Sequence, residues 1–310
     1  MNTLLVKSSP HIHSGSSISE VMGDVLLALL PASGAAIYFY GYYAGAIILV
    51  AVLSAVLTEY LWQKIVRREN TIGDLSALVS GLLLALTLPP RISLFLVFLG
   101  AVFTILFGKC IFGGLGYNPF NPALVGRAFL QISWPRAMGS WFLPQAGQLT
   151  ITSATTTATP LMIDKGEAVG QLPDLGNMFL GNRAGSLGET AALALLLGGL
   201  YLLIRRQITL TIPLSYIFTV ALVSWLFGKN PLFHILAGGL LLGAIFMATD
   251  PVTSPVTEKG RLVFGVGCGI LTVLIRLKGG FPEGVCFSIL IMNALVPLID
   301  RMTLKKVFGK

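Results

Sequence analysis

Residues 92–112 read Ile-Ser-Leu-Phe-Leu-Val-Phe-Leu-Gly-Ala-Val-Phe-Thr-Ile-Leu-Phe-Gly-Lys-Cys-Ile-Phe. Up to Lys109 the run holds no charge, and a helix needs about 20 such residues to cross a bilayer core. Nine similar apolar segments flank it, over residues 21–39, 44–63, 75–89, 119–133, 189–204, 208–228, 232–248, 260–276 and 281–299. The run from Val21 is long enough to span and is not read as a signal peptide. The segments 75–89, 119–133, 189–204 and 232–248 are short. Short runs interrupted by Gly, Pro or Asn mark broken helices beside a site at membrane depth.

Composition agrees. Hydrophobic residues make up 55% of the 310-residue chain and charged residues 11%, against about 25% charged in a soluble domain. The net charge of +8 has no clustered basic patch behind it, so no nucleic-acid partner is expected and topology explains the sign. With the N-terminus inside, Arg91, Arg136, Lys165, Arg183, Lys229, Arg276 and Lys278 fall outside, and 13 of the 21 basic residues fall inside, Lys109 among them. Arg127 lies within a segment. Five spans then precede the long gap at 134–188, which places it outside.

The expected fold class is an all-α polytopic membrane protein of about ten transmembrane segments, arranged as two inverted five-helix repeats. The parts are a cytoplasmic tail (1–20), a first membrane repeat (21–133), an extracytoplasmic loop (134–188), a second repeat (189–300) and a basic cytoplasmic tail (301–310). Three internal echoes suggest the repeat: Gly81-Leu82-Leu83-Leu84 with Gly239-Leu240-Leu241-Leu242, Phe103-Thr104-Ile105-Leu106 with Leu271-Thr272-Val273-Leu274, and Gly113-Gly114 with Gly279-Gly280. Five spans per half is odd, so the halves would be inverted, with a site near their centre.

Cys110, Cys268 and Cys286 form no C-x-x-C pair and read as small packing residues rather than metal ligands. His11 and His13 give two ligands, short of a metal site. Gly265, Gly267 and Gly269 suit close helix packing, since they lack the strand–turn–helix setting of a dinucleotide loop.

Three stretches could carry chemistry. Thr152 to Pro160 reads Thr-Ser-Ala-Thr-Thr-Thr-Ala-Thr-Pro, with six hydroxyls in an oily chain. A polar turn-forming loop is the plain reading, and a modification site is the sharper one. Gly116-Tyr117-Asn118-Pro119-Phe120-Asn121-Pro122-Ala123-Leu124-Val125-Gly126-Arg127 holds two Asn-Pro pairs. These break a helix, which membranes tolerate beside a protein-lined cavity. The block either caps a short helix or offers Asn amides to a ring edge. Met247-Ala248-Thr249-Asp250-Pro251-Val252-Thr253-Ser254-Pro255 puts Asp250 where it caps a helix or meets an ion. Asp24, Glu59 and Asp74 are further charges near segment ends, and Asp24, Asp74 and Asp250 are ion-pathway candidates.

The stretch Thr156-Thr157-Ala158-Thr159-Pro160-Leu161 resembles the flavinylation motif of the Rnf and Nqr membrane complexes. That motif has Asp, then Ser or Thr, Gly, Ala and a final Thr that carries FMN by a phosphoester bond. Here Ser153 stands in place of the Asp and Thr157 in place of the Gly. The Asn-Pro block, the Asp250 block, Met22 to Pro31, Leu82 to Pro90 and Pro10-His11-Ile12-His13 resemble the same family, the NqrB/RnfD family. The resemblance implies a fold similar to urea-transporter-type proteins. It implies covalent FMN on Thr159, with Thr156, Thr157 and Ala158 as its motif and small neighbours leaving the hydroxyl open to a flavin transferase. It also implies a second flavin, riboflavin, for which Asn118, Asn121 and Arg127 are candidates.

The implied role is an electron-carrying subunit of an ion-translocating ferredoxin:NAD⁺ oxidoreductase, moving Na⁺ or H⁺. The other Rnf subunits (A, B, C, E and G) would be its partners, with NAD⁺ and ferredoxin docking on them. The implied location is a bacterial or archaeal cytoplasmic membrane, with both termini inside and the Thr159 loop outside. Length fits the Rnf side, because the Nqr counterpart has a longer N-terminal extension. The NqrB component of a Na⁺-translocating NADH:quinone reductase is one alternative. A passive channel or solute transporter of the same architecture is another.

Overall fold

The structure is a computed structural model that describes residues 17–68, 70–144, 146–147, 156–189, 192–280 and 283–304. His11, His13 and Ser153 lie outside the described residues. The described membrane segments are predominantly helical. Helices α1 (Ile18–Tyr40), α2 (Tyr42–Val66), α3 (Ser76–Thr87), α4 (Leu94–Ile105) and α5 (Pro122–Ser133) make the first half. The connecting region holds α6 (Pro135–Met138), a two-residue antiparallel ladder β1 (Trp141–Phe142) with β2 (Thr156–Thr157), α7 (Pro160–Asp164) and α8 (Leu175–Leu180). The second half holds α9 (Ala192–Ile204), α10 (Thr211–Leu226), α11 (Pro231–Leu236), α12 (Leu240–Leu242), α13 (Glu258–Lys278) and α14 (Val285–Thr303).

Helices α1, α2, α13 and α14 are each long and apolar enough to cross a bilayer, and shorter apolar helices accompany them. Leu49, Leu53 and Leu57, one turn apart on α2, are 60%, 59% and 53% exposed. On a soluble protein such a stripe would be a liability, whereas on a membrane helix it is the lipid face. The opposite face of α2 (Ala44, Ile47, Ala51, Ala55) is buried.

The helix starts follow from local chemistry. Ser17 and Glu20 form a reciprocal capping box on α1. Asn121 and Asn230 each accept backbone N–H groups at the start of α5 and α11, and each precedes a proline in the first helical position. A proline there has no N–H to leave unpaired. Two helices also end in π-helical turns, α4 at Leu106–Cys110 and α12 at Gly243–Met247.

Small residues set the tightest contacts. A Cβ on Gly269 would lie 2.5 Å from the Thr219 Cβ and 3.1 Å from the Tyr216 carbonyl oxygen. A Cβ on Gly265 would meet the Ser215 hydroxyl. The two glycines let α13 seat directly on α10, as alternating small residues do in membrane helices. Packing recurs between the halves: α2 lies on α4 and α4 on α5, while α10 lies on α13 and α13 on α14. The second and third echoes fall on the corresponding pair α4 and α13, or just past their ends. The first does not, because Gly81 is inside α3, pressed against α2, whereas Gly239 precedes α12 with φ +65°.

The short segment 232–248 is broken, as its length and glycines lead one to expect, because Gly238 (φ +68°) and Gly239 (φ +65°) turn the chain between α11 and α12. The carbonyls this break frees are met by Arg276, which donates to the His234 oxygen at 2.6 Å and the Ala237 oxygen at 2.8 Å. Charge counting puts Arg276 among the outer surface groups, yet it is 2% exposed. The connecting region 134–188 also packs back on the bundle. Its end runs beside α3, with Leu187 N–H donating to the Leu88 oxygen at 3.1 Å and Gly188 N–H to the Leu86 oxygen at 2.7 Å. Orphan carbonyls at a helix end need such donors where water is absent.

Candidate functional site

The hydroxyl-rich stretch is held by the ladder. Thr157 pairs with Trp141, which is buried. Thr157 and Ala158 are half-buried. Thr159 then leaves the ladder in an extended conformation, and its Oγ accepts the Met162 N–H at 3.3 Å, capping α7. Next to it, Leu161 enters a small apolar cluster with Met178, Phe233 and Ala237. The expectation of an open hydroxyl is not met: Thr159 is 3% exposed. The cap and the Leu161 anchor together draw it inward. Of Thr156, only its backbone pairing with Phe142 is described.

The Asn-Pro block borders an apolar-lined cavity whose free space, counted out to open solvent, is about 740 Å³. Ser76 and Ser80 of α3, Asn118 and Asn121 before α5, Phe246 of the second π turn and Asp250 contribute to its wall. The two asparagines differ. Asn121 is fully engaged: its Oδ1 accepts from the Ala123 and Leu124 N–H groups, its Nδ2 donates to the Met247 oxygen, and its own N–H donates to Asn293 Oδ1. Asn118 donates from Nδ2 to the Phe120 oxygen at 3.1 Å, but its buried Oδ1 has no partner. A buried acceptor left unmade is costly, and this one is at the wall of an apolar cavity. Asn118 therefore keeps a free polar acceptor in a residue that lines this cavity.

Arg127 does not join them. It sits further along α5 and borders a smaller cavity of about 290 Å³ with Thr87, Ser186, Gly238 and Cys286. There it donates to the Thr87 carbonyl and pairs with Glu283. The helix α3 touches both cavities, with Ser76 at the larger and Thr87 at the smaller. A helix of its 12 residues is about 18 Å long, which sets the scale of their separation. The smaller cavity lies on the side of Thr159, since Gly238 borders it and packs against Leu161.

The acidic candidates separate as well. Asp24 is buried and fully matched, accepting from Tyr201 Oη at 2.8 Å, Arg205 Nε at 3.1 Å and Gln207 Nε2 at 2.7 Å. It ties α1 to the end of α9. Asp74 caps the start of α3, accepting the Ser76 N–H at 2.8 Å. Asp250 closes a turn, accepting the Val252 N–H at 3.2 Å and the Thr253 hydroxyl at 3.1 Å. Desolvation lifts its carboxyl above the ordinary carboxylate range, against the pull of those two donors.

Sequence reasoning missed the deepest charges. Lys109, a cytoplasmic surface charge by the topology count, is 2% exposed and paired with Glu59, itself 1% exposed. Arg183 and Glu189 form a second buried pair at 3.7 Å. The signal for Lys109 was present, because it is embedded between Phe107-Gly108 and Cys110-Ile111-Phe112. The three cysteines are buried and unpaired, as packing residues are.

The fold and cavities thus define a class: a polytopic helical membrane protein with broken helices around an internal cavity and a threonine-bearing loop docked on the bundle. Residues 5–309 match the NQR2, RnfD, RnfE family, and the chain belongs to that family. It is 45% identical to the D subunit of the proton-translocating ferredoxin:NAD(+) oxidoreductase complex of Clostridium ljungdahlii, covering 99% of this chain and 97% of the relative. It is 44% identical to the D subunit of the Na(+)-translocating ferredoxin:NAD(+) oxidoreductase complex of Acetobacterium woodii, covering 99% and 95%. It is 38% identical to the D subunit of the ion-translocating oxidoreductase complex of an Escherichia coli strain, covering 98% of both.

Proposed function

We infer that this chain is the RnfD component of an ion-translocating ferredoxin:NAD⁺ oxidoreductase, an electron carrier that works inside a complex with the other Rnf subunits. Membership of the family and the near full-length similarity to relatives of that name support the reading. In it, Thr159 carries FMN through a phosphoester bond, and the cavity at Asn118 holds a second flavin. The two halves are inverted repeats of five segments. Both termini face the cytoplasm, and the Thr159 loop faces outward, where a flavin transferase would modify it.

The observation that carries the second site is the unpartnered, buried Oδ1 of Asn118, a residue that lines this cavity. A flavin there would supply one- or two-electron chemistry, and the protein would supply position and electrostatics. Asn118 would orient the ring edge, Asn121 would hold the helix start, and Ser76 and Ser80 would offer further hydroxyls. Arg127, being at the other cavity, is not part of this cradle. Thr159 has the nucleophilic hydroxyl that a phosphoester requires. Its burial means that α7 and Leu161 must lift away for attachment, so modification precedes final docking of the loop.

Two measurements test the covalent site. The denatured chain, produced with its transferase, should fluoresce under ultraviolet light on a gel, and its intact mass should exceed the sequence mass by FMN less one water. Thr159→Val should lose both signals. A dark unsubstituted chain of unmodified mass would remove the carrier role.

A further inference from the structure

Beside the Asn118 cavity lies a second, polar cleft of about 1040 Å³, lined by Glu59, Gln63, Thr71 and Asp74 among others. The two spaces share Lys109, which borders both. Its ammonium is held tightly. Nζ donates to Glu59 Oε1 at 2.7 Å, to Glu59 Oε2 at 2.8 Å and to Ser76 Oγ at 2.5 Å, and lies 3.8 Å from Asp74. Glu59 also accepts from Gln63 and Thr71, each at 3.0 Å. Ser76 is itself part of the cavity wall. Glu59 and Asp74 thus line the cleft, and Ser76, whose Oγ donates to Asp74 Oδ1 at 2.5 Å, lines the cavity.

The backbone that places Lys109 is also unusual. It belongs to the π-helical turn that ends α4, and the second π turn supplies Phe246 to the same cavity. Such turns are rare and recur at functional sites. A buried ion pair is weak evidence for stability, because desolvation offsets much of the attraction. A pair kept between an apolar cavity and a polar cleft therefore invites a role beyond packing.

We propose that Lys109 is the positioning cation of the ligand in the Asn118 cavity, held at the wall by Glu59 and Ser76 so that it favours the more negatively charged form of a bound redox ring. This rests on the reading of the cavity as the second flavin site. Charge added in the cavity draws on the ammonium, and the ammonium then holds Glu59 and Asp74 less strongly. The cleft carboxylates therefore sense the redox state, which gives a local electrostatic link between electron arrival and the cleft.

The test uses the assembled complex in a Thr159→Val background, which removes the covalent flavin's signal. Non-covalent flavin is released by acid precipitation and counted by fluorescence, and its potential is read by spectroelectrochemical titration. Lys109→Met should keep the flavin and shift its reduction equilibrium at least tenfold toward the oxidised form, which is about 59 mV lower for one electron. Glu59→Gln should shift it the opposite way, and Lys109→Arg should restore most of the original value. A purely structural pair would weaken both variants without shifts of opposite sign. Flavin retained at an unchanged potential in Lys109→Met, or shifts of the same sign in both variants, would overturn the role of Lys109 alone. Absence of non-covalent flavin from the Thr159→Val complex with Lys109 intact would overturn the cavity assignment as well. Should Lys109→Met fail to assemble, the sign of the Glu59→Gln shift decides.

Discussion

Asn118 and Asn121 are three positions apart and look equivalent, yet Asn121 is a helix cap and Asn118 has a spare acceptor. Their substitutions should differ accordingly. Asn118→Leu removes the free Oδ1 together with one hydrogen bond to the Phe120 carbonyl. It should lower the content of non-covalent flavin in the purified complex by about tenfold or more, the scale of one buried hydrogen bond, while fluorescence from Thr159 stays. Equal retention of non-covalent flavin in Asn118→Leu would assign the cavity to something else. Asn121→Leu strips a cap from α5 and its link to Met247, so its loss should appear as lower thermal stability of the chain by about 1–2 kcal/mol.

At the level of elements, the seating of α13 on α10 depends on glycines rather than on large apolar side chains. Gly269 faces Thr219 and the Tyr216 carbonyl with no room for a methyl group. Gly269→Ala should destabilise the chain by about 1–3 kcal/mol through overpacking, seen as a lower midpoint in a detergent melt. The same change at Gly34, where a Cβ would meet nothing within 4 Å, should be close to neutral, since alanine is the better helix former. If the two variants melt alike, close approach is not what holds this pair. The broken element at 236–239 follows a different rule. Its freed carbonyls are bound by Arg276, so the break is stabilised by a side chain from α13, a helix distant in sequence.

Across the whole molecule, the proposed topology puts Thr159 and the Asn118 cavity toward opposite faces of the membrane. Val169 in the connecting region and Met302 near the end of α14 are both well exposed. With the termini inside, a cysteine at Val169 should react with an impermeant maleimide added to intact cells, and one at Met302 should react only after the membrane is opened. Labelling of Met302→Cys in intact cells would reverse the topology. The native cysteines are buried and should contribute little background.

Much of this architecture was legible in the chain. Apolar runs are read directly, because a bilayer demands length and hydrophobicity from each span. The short runs and the Asn-Pro pairs announced breaks, and the order Thr156-Thr157-Ala158-Thr159 pointed to one hydroxyl among six. What the chain could not show was which charges are buried. Lys109, Arg276 and Arg183 looked like surface charges, since topology counting treats each as solvated, and Glu59 read as a charge near a segment end. Their burial depends on partners far away in sequence: Glu59 for Lys109, and the carbonyls of residues 234 and 237 for Arg276. The same reason hides the difference between Asn118 and Asn121, and the burial of Thr159. Periodicity and local motif determined the elements and the family. Long-range pairing across the bundle, which no local pattern encodes, decided which polar atoms are satisfied and which remain free to meet a ligand.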